Sequence, residues 1–342
     1  MNKLLTIAIP TYNRSKRLEK SLNDLLAQIN KSKMNQYLSV FVSNNGSTDL
    51  TAKILDKYNY IFKQNNIPLF SQNLKENQGF DANVLNCYRN CDSEYIWFLS
   101  DDDNIMDGAI SSIIEDIKIL VPSVLYYNFN QEPYTINNPY IIENNLYEQI
   151  DISNIQSIIK IIKWPKLTSL IIRKTDEKVC ERFKTYDFGF MHIAIAIQVG
   201  LDFGKVFHSN KFIAHPDDDY LDHINFPPFI GNNLIKTVYH VLDQNDKLYI
   251  YQHIKLETVN PLTSSLINLA YYYRGKFVLT PELKSELYLT IVNELKTIKF
   301  NKINMELFLS IIRLFIGYTY NVCHYFLTGK SATRVRTINQ NI

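Results

Sequence analysis

The sequence predicts an α/β fold, a mostly parallel sheet with helices on both faces, followed by a helical C-terminal extension. Three observations carry this. Short β-branched runs alternate with amphipathic helical stretches between residues 4 and 129. The connections between them are short, and right-handed crossovers then give parallel strands. Beyond Pro227 and Pro228 the pattern turns almost wholly helical. A soft boundary near residue 226 separates an α/β domain (1–226, with halves 1–128 and 129–226) from a helical region (227–342).

The elements follow in order. LLTIAI (4–9) reads as a buried strand, and Ser15 to about Gln28 as a helix with Leu18, Leu22, Leu25, Leu26 and Ile29 on one face. LSVFV (38–42) is the second strand and runs into the turn cluster SNNGST (43–48), before a helix starting near Asp49. IPLFS (67–71) is a weak third strand, FDANVLNCYRN (80–90) a helix, EYIWFL (94–99) a fourth strand and 107–119 a helix. SVLYYNF (123–129) is a strand, and a loop-rich stretch extends to about 150. A helix (152–163), the strand LTSLIIR (167–173), a helix near 187–199 and strand material over 205–215 complete the domain.

With 342 residues, 46% hydrophobic and 20% charged, the chain has ordinary globular composition and length for one large or two modest domains. A net charge of +2 argues against nucleic acid as the main partner. The four cysteines (Cys87, Cys91, Cys180, Cys323) have no paired metal spacing and read as thiols in a reducing compartment. The start, MNKLLTIAIPTYNR, has too short an apolar stretch for a signal peptide, and Pro10 and Arg14 follow without a cleavage site. It reads as the first strand of a cytoplasmic protein. No segment offers about 20 clean apolar residues for a spanning helix.

In open parallel sheets ligands bind outside the carboxyl ends of the strands. PTYNR, SNNGSTD and SDDDN each follow a predicted strand at that end, so three loops converge on one edge. The aspartates of SDDDN demand a reason. At about 5 Å and an effective dielectric of ~20, neighbouring carboxylates repel by roughly 3 kcal/mol. Mg2+ or Mn2+ bound by Asp101 and Asp103 would relieve this, since such ions take one or two carboxylates with phosphate oxygens completing the shell. Asp102 would bond a ribose hydroxyl or brace the loop. A solvated acidic turn capping the following helix is the alternative.

In PTYNR, Pro10 closes the strand, Tyr12 offers an aromatic edge or face to a base, and Arg14 suits a phosphate or carbonyl. As a turn with Asn13 or Ser15 capping, the same residues need no ligand. Asn44 can read a base's Watson–Crick edge or close an Asx-turn leading to Ser47 or Thr48. Gly46 is free to take positive φ. In ENQGFDAN, Gly79 lets backbone approach a sugar or phosphate just before a helix, and Asn83 lies one turn in.

IPTYNR, VSNNGSTD, NQGFDANVLN and WFLSDDDN, in that order over roughly residues 4–120, resemble glycosyltransferase family 2, which has the GT-A fold. The variant loops SNNGSTD and SDDD look closest to the abequosyltransferase-like subset building bacterial surface polysaccharides. The resemblance implies transfer of a sugar from a nucleotide-diphosphate donor to a hydroxyl of a glycan or polyprenyl-linked acceptor, with inversion. It also implies a divalent metal, Mn2+ or Mg2+, on Asp101 and Asp103. Thr11 and Tyr12 would flank the base, and Asn44 would contact its edge. Asn44 stands where the family's loop usually has an acidic residue, so uracil, cytosine, thymine or guanine donors all fit.

The family places its general base at the start of a helix beyond the middle of the domain, often in an ED pair, and this chain has no clear ED there. Asp187, in KTYDFGFMHIAIAI, is the candidate, with simple N-capping as its alternative and His192 as the other base. HPDDDYLDH (215–223) holds a second aspartate triplet that reads as a solvated loop, with a metal or pyrophosphate contact for His215 left open. Trp164, Pro165 and Lys166 border an acceptor cleft or belong to the core. The apolar segment 305–327, with a basic tail at Lys330, Arg334 and Arg336, suits either burial or peripheral contact with anionic lipid at the inner membrane face. A nucleotidyltransferase would also want paired carboxylates, but PTYNR has no glycine to cradle a triphosphate. A non-catalytic nucleotide- or sugar-binding module would not need the aspartates.

Overall fold

The computed structural model describes residues 3–128, 146–153, 158, 166–187, 189–216, 237–238 and 240–242. All lie in one compact unit, Met1–Phe226 with Asn232–Thr258. The helix expected over most of 152–163, Trp164, Pro165, Asp217 to Asp219 and all of the C-terminal helical region except residues 237–238 and 240–242 fall outside the described residues.

In chain order the elements are β1 (Leu5–Thr11), α1 (Ser15–Ser32), β2 (Leu38–Asn44), α2 (Thr51–Gln64), β3 (Leu69–Asn73), α3 (Phe80–Arg89), β4 (Tyr95–Phe98), β5 (Asp103–Ile105) and α4 (Ala109–Leu120). There follow β6 (Val124–Asn128), β7 (Tyr147–Ile150), β8 (Leu170–Arg173), α5 (Lys178–Arg182), α6 (Met191–Phe203), β9 (Val206–Phe212) and β10 (Ala214–Pro216). Among the described residues the main sheet has the order β3-β2-β1-β4-β8-β6-β9-β7. The first four strands in that order run parallel, as the alternation predicts, and β6 pairs parallel with β9. β8 runs antiparallel between β4 and β6, and β7 antiparallel on the edge beside β9.

β1 is apolar almost throughout because it is buried on both faces. With the strand period of two, Leu5, Ile7 and Ile9 turn to one face and join Leu18, Leu22, Leu25 and Ile29 of α1 and Ile110, Ile113, Ile114 and Ile117 of α4 in one core. Thr6 turns to the other face, where its hydroxyl bonds Ser39 and Ser93 beneath α3. The ladder from β1 to β4 ends at Ala8, whereas that to β2 runs past Pro10 to Thr11 opposite Asn44. Pro10 therefore does not stop the ladder as expected; it lacks an N–H to offer and sits where only one neighbour continues.

Other departures have local causes. β5 and β10 pair with each other over three residues, too few for alternation to show in sequence. β7 (YEQI) lay in the stretch read as loop because an edge strand needs no apolar run. The expected strand 167–173 begins as a 3-10 turn, Leu167–Ser169. The helix expected near 187 starts at Met191, because the segment before it is held from outside the helix.

Candidate active site

The carboxyl ends of β1, β2 and β4 and the amino end of β8 meet at one edge of the sheet. Two loops there are tied by Asp49. Its carboxylate accepts the Ser15 amide at 2.9 Å, at the start of α1, and the Thr51 amide at 3.0 Å, at the start of α2. Partial burial pushes this carboxyl up, but the Thr51 hydroxyl and the two amides outweigh it and bring it down to about 2. Capping thus falls to Asp49 and not to Asn13, Ser47 or Thr48. Asn13 takes the Thr48 amide at 2.8 Å and gives its own amide to Ser47.

Asn44 and Asn83, both expected to touch donor, are buried in structural bonds. The Asn44 amide donates to Asn73 at 2.8 Å and its oxygen accepts the Ser47 amide at 3.1 Å, which is the Asx-turn alternative. Asn83 bonds the carbonyls of Thr11 and Ser43, at 3.4 and 3.2 Å, and accepts the Ser43 hydroxyl. Asn45, which the sequence reading passed over, is equally buried and holds the loop before α3 through Asn77, Gln78 and Gly79. Gly46 takes φ +69°, and a Cβ there would lie 2.4 Å from the Glu76 carbonyl carbon. Gly79 has φ +88° with open space around it, so its conformation, not a close contact, requires glycine.

The acidic triplet is where charge concentrates. Asp101 is 4% exposed, and its two oxygens accept the Thr11 hydroxyl and Arg14, each at 2.7 Å. Asp102 accepts the Ser100 hydroxyl, Arg14 at 3.1 Å and Arg17 at 3.3 Å. Thr11, expected beside a base, and Arg14, expected on a phosphate or carbonyl, are both turned onto aspartates here. Asp103 accepts the Thr168 hydroxyl, which in turn takes the Ser100 amide at 3.1 Å. Burial pushes the Asp103 carboxyl up to about 7, aided by Asp102 and Asp101 and opposed by Thr168 and Lys166. Burial also raises Asp101, against the pull of Arg14. The β5–β10 ladder sets His215 opposite Asn104, one residue from Asp103.

A divalent cation fits this set at one point. Among the described residues no group of three His, Cys, Asp or Glu side chains could hold a metal by itself. Asp101 has both oxygens engaged, so it differs from the expected ligand. Asp103, short of positive charge, is the carboxylate a cation would relieve, with phosphate oxygens supplying the rest of the shell. Tyr12 stands 40% exposed at the same edge.

Asp187 is exposed and does not cap α6. The amides of Gly189 and Met191 go instead to Asp81, a buried residue of α3 that the sequence reading did not single out. His192 is buried, with its ring 6.1 Å from Phe190 and 6.3 Å from Phe80, as a packed histidine would be.

Comparison with known proteins adds the following. Residues 6–174 match the family model described as Glycosyl transferase family 2. The chain is 26% identical over 228 residues to abequosyltransferase RfbV of Salmonella typhimurium, covering 62% of this chain and 63% of that protein. Over 112 residues it is 31% identical to the GalNAc(5)-diNAcBac-PP-undecaprenol β-1,3-glucosyltransferase of Campylobacter jejuni, covering 32% and 33% of the two chains. The chain thus matches less than two thirds of the length of either relative. Among solved structures it resembles S. aureus TarS 1-349 in complex with UDP-GlcNAc, at TM-score 0.51, 17% identity and 73% and 70% coverage. It also resembles the mannosyltransferase PcManGT of Pyrobaculum calidifontis in complex with GDP-Man and Mn2+, at TM-score 0.53, 12% identity and 94% and 87% coverage. At these identities the likeness establishes the GT-A fold.

Proposed function

We propose that the protein is a glycosyltransferase of family 2, whose family model matches residues 6–174, and that it transfers a sugar, with inversion, from a nucleotide-diphosphate sugar to a hydroxyl of a glycan or lipid-linked oligosaccharide. The observation that carries this is the meeting of the loop after β1 and the turn before β8 on buried Asp101 and half-buried Asp103, beside Arg14, Arg17 and exposed Tyr12. Tyr12 offers its ring to the base. The open backbone at Gly79 faces the sugar–phosphate side, and Asp102 braces the loop through Ser100 or meets a ribose hydroxyl.

Asp103 is the proposed ligand of a divalent metal, Mn2+ or Mg2+, with Asp101 joining only if Arg14 moves off it. When bound, the ion supplies Lewis-acid neutralisation of the charge that grows on the leaving diphosphate. Arg14, Arg17 and Lys166 add fixed positive charge at that edge. Asp187 accepts the proton of the incoming hydroxyl, on the side opposite the leaving group. The names of the two relatives support a place in bacterial surface-polysaccharide or lipid-linked oligosaccharide synthesis, and the inner face of the cytoplasmic membrane is the proposed location. Among the described residues no helix is long and apolar enough to cross a membrane.

The test is a panel of nucleotide-sugars assayed for Mn2+- or Mg2+-dependent donor hydrolysis, which needs no knowledge of the acceptor. One donor turned over by wild type and spared by Asp103→Ala is the expected result. Turnover of none, or equal turnover by a folded Asp103→Ala variant, rejects the assignment.

A further inference from the structure

A general base must be held still, and α6 has no cap of its own to do so: Phe190, at its N-cap, supplies no side-chain acceptor. The acceptor comes from a different helix. Asp81, in the first turn of α3 and 2% exposed, takes the Gly189 amide on one carboxylate oxygen at 2.5 Å and the Met191 amide on the other at 2.9 Å. Phe80, the residue before it, meets the His192 ring edge-on at 6.3 Å. Two residues on, Asn83 grips the Thr11 and Ser43 carbonyls at the ends of β1 and β2. One turn of one helix is therefore bonded on one side to the strand ends that carry Tyr12 and the acidic triplet's partners. On the other it is bonded to the segment that carries Asp187.

We infer that Asp81 is a positioning residue for transfer, fixing the Asp187 segment against the donor-side strand ends through α3. The inference rests on the assignment of Asp187 as base. An ionised carboxylate is acceptor-only, so it suits two converging N–H groups, and its charge favours a helix N-terminus. Asparagine has nearly the same shape but must turn its NH2 towards one of those donors. The segment would shift, and a misplacement of about 1 Å costs on the order of 10²-fold in rate. Donor binding, anchored through Asn83 and the strand ends, should not follow.

The experiment compares full-length wild type with Asp81→Asn and Asp81→Glu. Three quantities are read: amide hydrogen exchange in the peptides spanning 183–192 and 95–105, kcat for transfer, and Kd for whichever of UDP, GDP, CDP and dTDP binds wild type tightest with Mn2+. In Asp81→Asn, exchange should rise at least about tenfold in 183–192 and not in 95–105, with kcat falling about 10- to 100-fold and Kd staying within about twofold. Asp81→Glu, which keeps both acceptors, should recover part of kcat. Unchanged exchange in 183–192 overturns the clamp. Raised exchange with unchanged kcat, or kcat and nucleotide affinity falling in parallel, overturns the positioning role. Should wild type show no transfer with any donor, the proposed function fails and the role of Asp81 in transfer falls with it, while the exchange result still reports whether the clamp exists.

Discussion

Replacing Asp103 by asparagine should flatten the pH dependence of stability in metal-free protein. The Asp103 carboxyl rises from 3.8 to about 7, with burial the largest cause. Its folded pKa lies above the unfolded value, so the folded chain holds the extra proton. Stability from this group is therefore greatest below about pH 4 and is lost progressively as pH climbs through about 7. That rise corresponds to about 4 kcal/mol at most. Asp103 keeps part of its surface in solvent, and about 2 kcal/mol between pH 5 and pH 8 is the figure to look for. At ~2–4 °C per kcal/mol for a domain of this size, that is about 4–8 °C in Tm. Asparagine can still accept the Thr168 hydroxyl, so the comparison isolates the charge. Thermal unfolding in EDTA across pH 5 to 8 should show wild type losing about 4–8 °C more than the variant. Parallel curves would refute the view that Asp103 lacks a counterion.

Asp187→Asn should lower kcat for transfer about 10²- to 10⁴-fold with nucleotide affinity unchanged, since the group is exposed and holds no cap; a kcat within tenfold of wild type moves the base elsewhere. Tyr12→Ala should weaken nucleoside diphosphate binding by about 1 kcal/mol, roughly fivefold, with Tm unchanged because the residue is 40% exposed; calorimetric titration reads the affinity and a thermal unfolding scan the Tm. Gly46→Ala should lower Tm by at least about 5 °C, because φ +69° is strained for alanine and its Cβ would meet the Glu76 backbone at 2.4 Å. Arg14→Met removes the cation beside Asp101 and should tighten Mn2+ binding in the absence of nucleotide by about tenfold, read by electron paramagnetic resonance of free Mn2+. An unchanged Mn2+ affinity would mean that Asp101 is not a latent ligand.

Much of the nucleotide-side half was legible because its signals are local. Continuous apolar runs such as LTIAI declare strands buried on both faces, and the turn residues of SNNGSTD declare where β2 ends. Their clustering at one edge followed from topology alone. What stayed hidden depends on partners far away in sequence. Asp81 is unremarkable in FDANVLN, and its importance appears only when residues 189 and 191 are brought onto it. Asp49 likewise reads only as the start of a helix but ties two helices. Arg14 was read as a ligand for phosphate because sequence cannot show that it already has carboxylates in reach. Asn44 and Asn83 were read as ligand contacts because an amide's donor and acceptor suit a base and a turn equally well. The antiparallel direction of β8 leaves no mark in LIIR, whose three apolar side chains are buried either way.

The triplet's charge balance says how the site is arranged. Asp101 and Asp102 share Arg14, and Asp102 adds Arg17, so two carboxylates meet two guanidinium groups and the pair of pairs is neutral. Asp103 is left with a hydroxyl and the more distant Lys166. A divalent cation arriving alone would find one carboxylate that is about half protonated near pH 7, which is a poor ligand. A cation arriving with a diphosphate brings its own oxygen ligands and needs only that one protein anchor. Neutralising the first two aspartates internally thus makes the site favour the metal–nucleotide pair over the bare ion. It also places Arg14, with nearly half its side chain exposed, where a short swing would move its charge from aspartate to phosphate. The repulsion built into three adjacent carboxylates is therefore relieved in two ways, before any ligand arrives for Asp101 and Asp102 by arginine and on its arrival for Asp103.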